Sequence, residues 1–304
     1  MKKRSLLLSI IVVLFLVAGV TDLFAEKGAQ FVETMGASGS VNWTSGVIEA
    51  VGIGAPPERF YGKPQARPMA IRAAQLDAYR NLLEVAGGVR VDSMTLVKNF
   101  TIESDLIRSQ VSGIVKGAQM VKTDYLSDGT VEVTLRMPMH GATSLGNTIY
   151  PAIFGEKMDQ KTVPVSPVPL LPATAPVSPT PLPPVTAQET SGTHTGLVVD
   201  ARGIQARPAM SPKIVDENGQ EVYGTMHVDR EFAVQQGMSG YARDIKTAQN
   251  NTRVTDNPLT VKGLRTDGPG KSNIIISNGE AEQIRASYGS GGFLKKCRVM
   301  IVLD

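Results

Sequence analysis

Cysteine is all but missing from this chain of 304 residues, which carries one, Cys297. A lone thiol can close no intramolecular disulfide, so packing must hold the fold. Cys297 itself reads as a buried small hydrophobe within the apolar run FLKKCRVMIVLD. Nor does a cysteine follow the apolar N-terminal stretch, where a lipid anchor would be attached. Aromatic residues make up only 5% of the chain, with Trp43 the single tryptophan. Histidine is scarce as well. His140, His194 and His227 stand far apart, without the i,i+4 or short-loop spacing that gathers ligands around a metal. No GxSxG, P-loop, HExxH or calcium-loop pattern occurs. An excess of one charge is missing too. Setting aside Lys2, Lys3, Arg4 and Asp22, the 31 basic and 28 acidic residues fall to 28 and 27, a net of +1. Such a balance makes no electrostatic case for nucleic acid.

What the chain does have is a marked division along its length. Lys2-Lys3-Arg4 form a positive region, Leu6 to Val20 an apolar core, and Leu23-Phe24-Ala25 a cleavage site before Glu26. This pattern predicts a signal peptide over residues 1–25 and an exported, periplasmic protein, peripheral to the outer membrane. Residues 26–40 contain glycine and serine and read as a flexible arm. Nearly half of the 19 prolines fall in TVPVSPVPLLPATAPVSPTPLPP, residues 162–184. Such a run favours polyproline II and, at ~3.1 Å per residue, could hold two domains several tens of ångströms apart. The expected organisation is an α+β fold: a domain over 41–150, a proline-rich linker over 151–194 and a second α+β domain over 195–304.

The best-specified element is ARPMAIRAAQLDAYRNLLEVAGG, residues 66–88. Ile71, Ala74, Ala78, Leu82 and Val85 recur at steps of three and four, which places them on one helical face. Met69, Leu76 and Leu83 extend that face, with Asp77, Arg80, Asn81 and Glu84 opposite. Ala66, Ala70, Ala74 and Ala78 fall at every fourth position, so with Leu82 they form a ridge that lets a neighbour approach closely. This ridge is the candidate interaction helix. Strand patterns surround it at 41–53, 89–97, 118–126 and 130–139, and a shorter amphipathic segment spans 99–115. Gly52-Ile53-Gly54-Ala55 has the look of a phosphate loop, but Pro56-Pro57 follow and the helix begins some ten residues later. A dinucleotide site needs the glycine turn to open straight into a helix, so that reading is rejected.

These residues carry a resemblance. The glycine-ended strand, the stretch AIRAAQLDAYRNLLEVAGGVRV and the later pair GAQMVKTDYLSDGTVEVTLRMPM resemble the LPP-twenty family of bacterial envelope lipoproteins. That kind of domain also occurs in flagellar accessory proteins of the outer-membrane region. The resemblance covers about residues 41–140 and implies an envelope structural or assembly role with no catalytic residues. The absent lipid-acceptor cysteine is a departure from the family, so no lipid anchor is expected.

In the C-terminal domain, Asp216-Glu217-Asn218-Gly219 and Asp267-Gly268-Pro269-Gly270 are hairpin turns between apolar runs. Residues 232–248 read as a helix weakened by Gly237 and Gly240, 280–286 as a short helix, and 293–303 as a closing strand. Asp200 and Arg202 follow the run LVV, where an aspartate could act as base or metal ligand and an arginine could hold an anion. More often such a pair caps a turn as an exposed ion pair. With His227 they form the alternative site. The expected function is thus a non-enzymatic cell-envelope structural or assembly factor, associated with the flagellum or outer membrane. Its partners would be envelope or flagellar proteins, or further copies of itself in a homo-oligomer. The alternative is a periplasmic ligand-binding or enzymatic protein with its site in the C-terminal domain. No cofactor or metal is expected.

Overall fold

Alternating apolar residues from Val131 to Met137 predict a strand with one buried face, and the computed structural model, which describes residues 30–155 and 194–304, forms it. The strands of the N-terminal unit are β1 (Val32–Met35), β2 (Gly39–Asn42), β3 (Val47–Gly54), β4 (Gln119–Tyr125) and β5 (Val131–Pro138). They make one sheet in the order β1-β2-β3-β5-β4, antiparallel throughout. Its helices are α1 (Ala66–Gly88), α2 (Val97–Glu103), α3 (Asp105–Lys116) and α4 (Leu145–Ile153).

Helix α1 lies on β3 with almost nothing between the two main chains. A Cβ at Gly52 would sit 2.0 Å from the Ala78 nitrogen and 2.4 Å from the Ala74 oxygen. At Gly54 it would sit 2.2 Å from the Ala74 nitrogen and 2.4 Å from the Ala70 oxygen. The GxG signature thus serves helix packing, and Ala70, Ala74, Ala78 and Leu82 are fully buried against their own sheet, with Ala66 partly so. This corrects the reading of that ridge as an interaction surface. It also corrects the breadth of the apolar face. A helix seated on glycines meets the strand through a narrow line of alanines, so positions one step to the side swing outward. Leu76 and Leu83 are 62% and 43% exposed. Asp77 and Asn81, expected in solvent, instead bind the edge of β3 where β2 stops. The Ile53 amide donates to Asp77 Oδ2 (3.0 Å), and Asn81 Nδ2 donates to the Val51 carbonyl (2.7 Å).

Several further expectations change. Residues 41–53 are a hairpin rather than one strand, turned at Trp43–Gly46. The part of the supposed flexible arm that is described, from residue 30, carries β1 and the start of β2. The amphipathic stretch 99–115 divides at Ser104, whose hydroxyl caps α3 by accepting from the Ile107 amide. Residues 89–97 form a loop closed by an Arg90–Leu96 bridge. The signal peptide lies outside the described residues, as does the proline-rich linker apart from Pro151 to Gly155 and His194. The first of these belong to the end of α4.

The C-terminal unit has strands β6 (Gly196–Asp200), β7 (Lys213–Val215), β8 (Glu221–Tyr223), β9 (Gly240–Ala242), β10 (Pro258–Asp267), β11 (Asn273–Ile276) and β12 (Val299–Val302). Its helices are α5 (Arg230–Gln236), α6 (Ile245–Gln249) and α7 (Asn278–Gly291). The sheet order is β8-β7-β11-β10-β6-β12-β9. Both expected hairpins form, β7 with β8 and β10 with β11, while β6 runs parallel to β10 and β12. Leu197, Val198 and Val199 are accordingly buried, as a strand covered on two faces requires. Asp216 holds the first turn by accepting from the Asn218 and Gln220 amides, and Arg285 pairs with it at 2.8 Å. Ser277 and Glu280 form a capping box that starts α7 earlier than expected. The expected helix over 232–248 is broken by Gly237 at φ +80° into α5, β9 and α6. The closing strand shortens to β12 because Phe293, Leu294 and Cys297 turn into the core first. The fold is α+β, as two helix-on-sheet units.

Replacing Gly52 by valine should destabilise the protein by about 3 kcal/mol, the upper range for an overpacked core. The control is Gly113 in α3, where a Cβ would meet no atom within 4 Å. Its change to alanine should add about 0.5–1 kcal/mol through helix propensity. Urea-unfolding midpoints of the two variants check both.

Candidate functional site

The main chain of loop 89–96 has no sheet of its own to join, and it finds partners in the other unit. The Arg90 and Val91 carbonyls accept from the Met210 and Ser211 amides at 3.0 and 2.7 Å. The Ser93 carbonyl accepts from the Gly270 amide at 2.7 Å, and its hydroxyl donates to the Asp267 carbonyl at 3.0 Å. Arg90 Nη1 donates to the Pro208 carbonyl at 2.6 Å. Buried phenols complete the join. Tyr150 donates across the seam to the Met210 carbonyl (3.0 Å), and Tyr241, tied within its own unit to the Ala209 carbonyl (2.7 Å), receives Trp43 edge-on. Glu33 pairs with Arg207 at 2.7 Å and with Arg90 at 3.6 Å. One hydrophobic core runs through both units. The picture of two domains held tens of ångströms apart by a proline spacer is therefore corrected: they are docked along a hydrogen-bonded seam.

At one end of this seam lies a cavity of about 500 Å³, walled by both units. His140 stands between Gly46 of the first unit and Gly237 of the second. A Cβ on Gly46 would fall 2.7 Å from His140 Cδ2, and one on Gly237 would fall 2.5 Å from Cε1. Both glycines have positive φ, +65° and +80°, so the site excludes side chains on conformational and steric grounds together. The next residue ties the same place, since the Gly141 amide donates to the Val234 carbonyl at 2.7 Å. Among the described residues, none makes a hydrogen bond to the buried His140 Nδ1. Arg253 lies beside it. Its Nη1 donates to the carbonyls of Gly237 (3.1 Å) and Cys297 (2.8 Å), and its Nη2 donates to that of Gln236.

The residues expected to carry function are not here. Asp200 and Arg202 form a two-pronged ion pair at the end of β6, 2.8 and 3.0 Å, and Arg202 holds the Asp200 carboxyl below its usual range. With Arg202 facing solvent, such a pair is screened by water and adds little to stability. His227 sits after β8, 3.3 Å from Glu221. Four strand spacings separate β8 from β6 in the sheet order, roughly 19 Å at ~4.8 Å each. The alternative site is not assembled. Sequence reasoning missed His140 and Arg253 because neither belongs to a local motif. Gly237, read only as a flaw in a helix, was the available signal.

Residues 196–304 match the family described as Treponema pallidum Tp0624, second domain. The likeness covers the C-terminal unit. A comparison with curated proteins finds no match. The family found is thus not the one expected, and the LPP-twenty resemblance of residues 41–140 is withdrawn. Its most telling feature, an alanine ridge following a glycine-ended strand, is accounted for by the packing of α1 on Gly52 and Gly54.

His140 also gives the seam a pH dependence. Burial, reinforced by the Arg253 charge, pushes its imidazole down to about 4. An unfolded histidine titrates near 6.5, so between these values the unfolded chain binds the extra proton. Stability should be complete above about pH 6.5 and fall by about 3 kcal/mol as pH drops to 4. His140→Gln should flatten this part of the profile. Unfolding midpoints of both proteins between pH 7.5 and 4 measure the difference.

Proposed function

We propose that this chain is an exported, non-enzymatic structural or assembly factor of the cell envelope, acting as one two-unit body through its N-terminal unit. Export rests on the basic and apolar pattern of the first 25 residues. The flagellar version of the reading depended on the withdrawn resemblance and is dropped. One observation carries the rest. Among the described residues, twelve of the fourteen large apolar side chains left exposed belong to the N-terminal unit. Single exposed apolar residues need no explanation, but their concentration on one unit supports reading that unit as the side that makes contacts.

The geometry also suggests where contact is made. Leu76 and Leu83 stand two turns apart on the outer side of α1, and Met120, Val121, Tyr125 and Leu126 line the edge strand β4 and its exit. Lys122 and the irregular pairing between Met120 and Lys122 guard that edge against simple strand addition. The outer side of α1 is therefore the favoured docking face, for an envelope protein or a second copy of the chain. Leu76→Glu with Leu83→Glu should leave the melting temperature within a few degrees and abolish co-purification or self-association in crosslinked envelope fractions. An unchanged interaction profile in the double variant would contradict the assignment of this face.

A further inference from the structure

We infer that the cavity at the seam is a binding site for a compact oxyanion, a carboxylate or a phosphate, with the Arg253 guanidinium as its anchor. The inference stands apart from the envelope reading.

The cavity, at about 500 Å³, is of a size that holds small molecules. Its wall contains one permanent cation, Arg253, and no aspartate or glutamate. Arg253 is half-buried and makes no ion pair with a carboxylate among the described residues. Its acceptors are backbone carbonyls only. A guanidinium has five N–H groups. The three bonds to Gln236, Gly237 and Cys297 explain its place as a clamp on the end of α5, but they leave Nε and one Nη2 hydrogen unused. Gly240 lets this wall pack closely, since a Cβ there would meet Met300 Sδ at 2.5 Å and Arg253 Nε at 3.1 Å.

Nor does any neighbour supply a hidden negative charge. Burial pushes the Cys297 thiol up to about 12, and it raises the Tyr150, Tyr223 and Tyr241 phenols as well. All four are neutral at physiological pH. Ser239, also in the wall, is buried, and its hydroxyl has no hydrogen-bond partner among the described residues. A charge held partly out of water without a counter-ion is unfavourable. An oxyanion accepting from Arg253 relieves that cost with charge-assisted hydrogen bonds. Because both units form the wall, the same ligand would tighten the seam.

The test is calorimetric titration of the full chain with inorganic phosphate and, separately, with acetate, against chloride at matched ionic strength. Saturable binding of either at one site per chain is expected, and which of the two binds identifies the chemistry. Gln235→Glu places a carboxylate on the exposed lip of the cavity without touching the core. It should weaken binding about tenfold or more, the loss expected when an internal anion competes for a charged hydrogen bond. Arg253→Gln should abolish binding. Should that variant fail to fold, Gln235→Glu decides alone. A second readout is the His140 imidazole followed by NMR, whose titration should move upward when the anion is bound. Binding no stronger than chloride, or equal in wild type and Gln235→Glu, would overturn the proposal.

Discussion

The structure depends on glycines that let another part of the chain come closer than a Cβ would allow. Three places share this design. Helix α1 rests on β3 at Gly52 and Gly54; the Ser93 loop is clasped by Gly268 and Gly270, where a Cβ would come within 2.1 and 2.6 Å of Ser93 atoms; and His140 is gripped between Gly46 and Gly237. Each contact is closer than any side chain would permit, so each fixes distance and orientation together. The first builds the N-terminal unit. The other two join it to the C-terminal unit.

This explains why a chain with one cysteine needs no cross-link. Hydrogen bonds across the seam satisfy backbone groups that would otherwise be buried without partners, and breaking them would expose a continuous apolar core. Polar side chains serve the same end. Tyr150, Tyr223 and Tyr241 each spend their hydroxyl on a backbone carbonyl, and Arg253 spends three N–H groups in that way. Among the described residues, a guanidinium charge without a counter-ion and an unpaired imidazole nitrogen fall together at a cavity in the seam.

Much of the local structure was legible in the sequence, and little of the seam was. Helix α1 spans the residues that its apolar period predicts, though Gly87 and Gly88 stay helical and the chain leaves through an extended Val89, and the β4–β5, β7–β8 and β10–β11 hairpins follow from Asp-Gly and Asn-Gly turns. These are short-range consequences of side-chain period and backbone freedom. Long-range contact has no such signature. Asp77 and Asn81 read as solvent-facing because their bonding partner, the free edge of β3, exists only once β2 is seen to stop short. Residues 89–97 read as a strand and do pair by their backbone, but with a segment more than a hundred residues away. Ala70, Ala74 and Ala78 were correctly read as a site of close approach, and the partner was the protein's own strand. Asp200, Arg202 and His227 attracted notice as chemistry-bearing types, whereas the sheet order keeps them apart.

The central claim is that the two units are one body. It is tested most directly by inserting a protease site between Gly155 and His194, cutting the folded protein, and measuring its size in solution. The account predicts that both fragments elute together at the size of the intact protein and unfold in a single cooperative transition. Fragments that separate on cutting, each retaining its own melting transition, would contradict it.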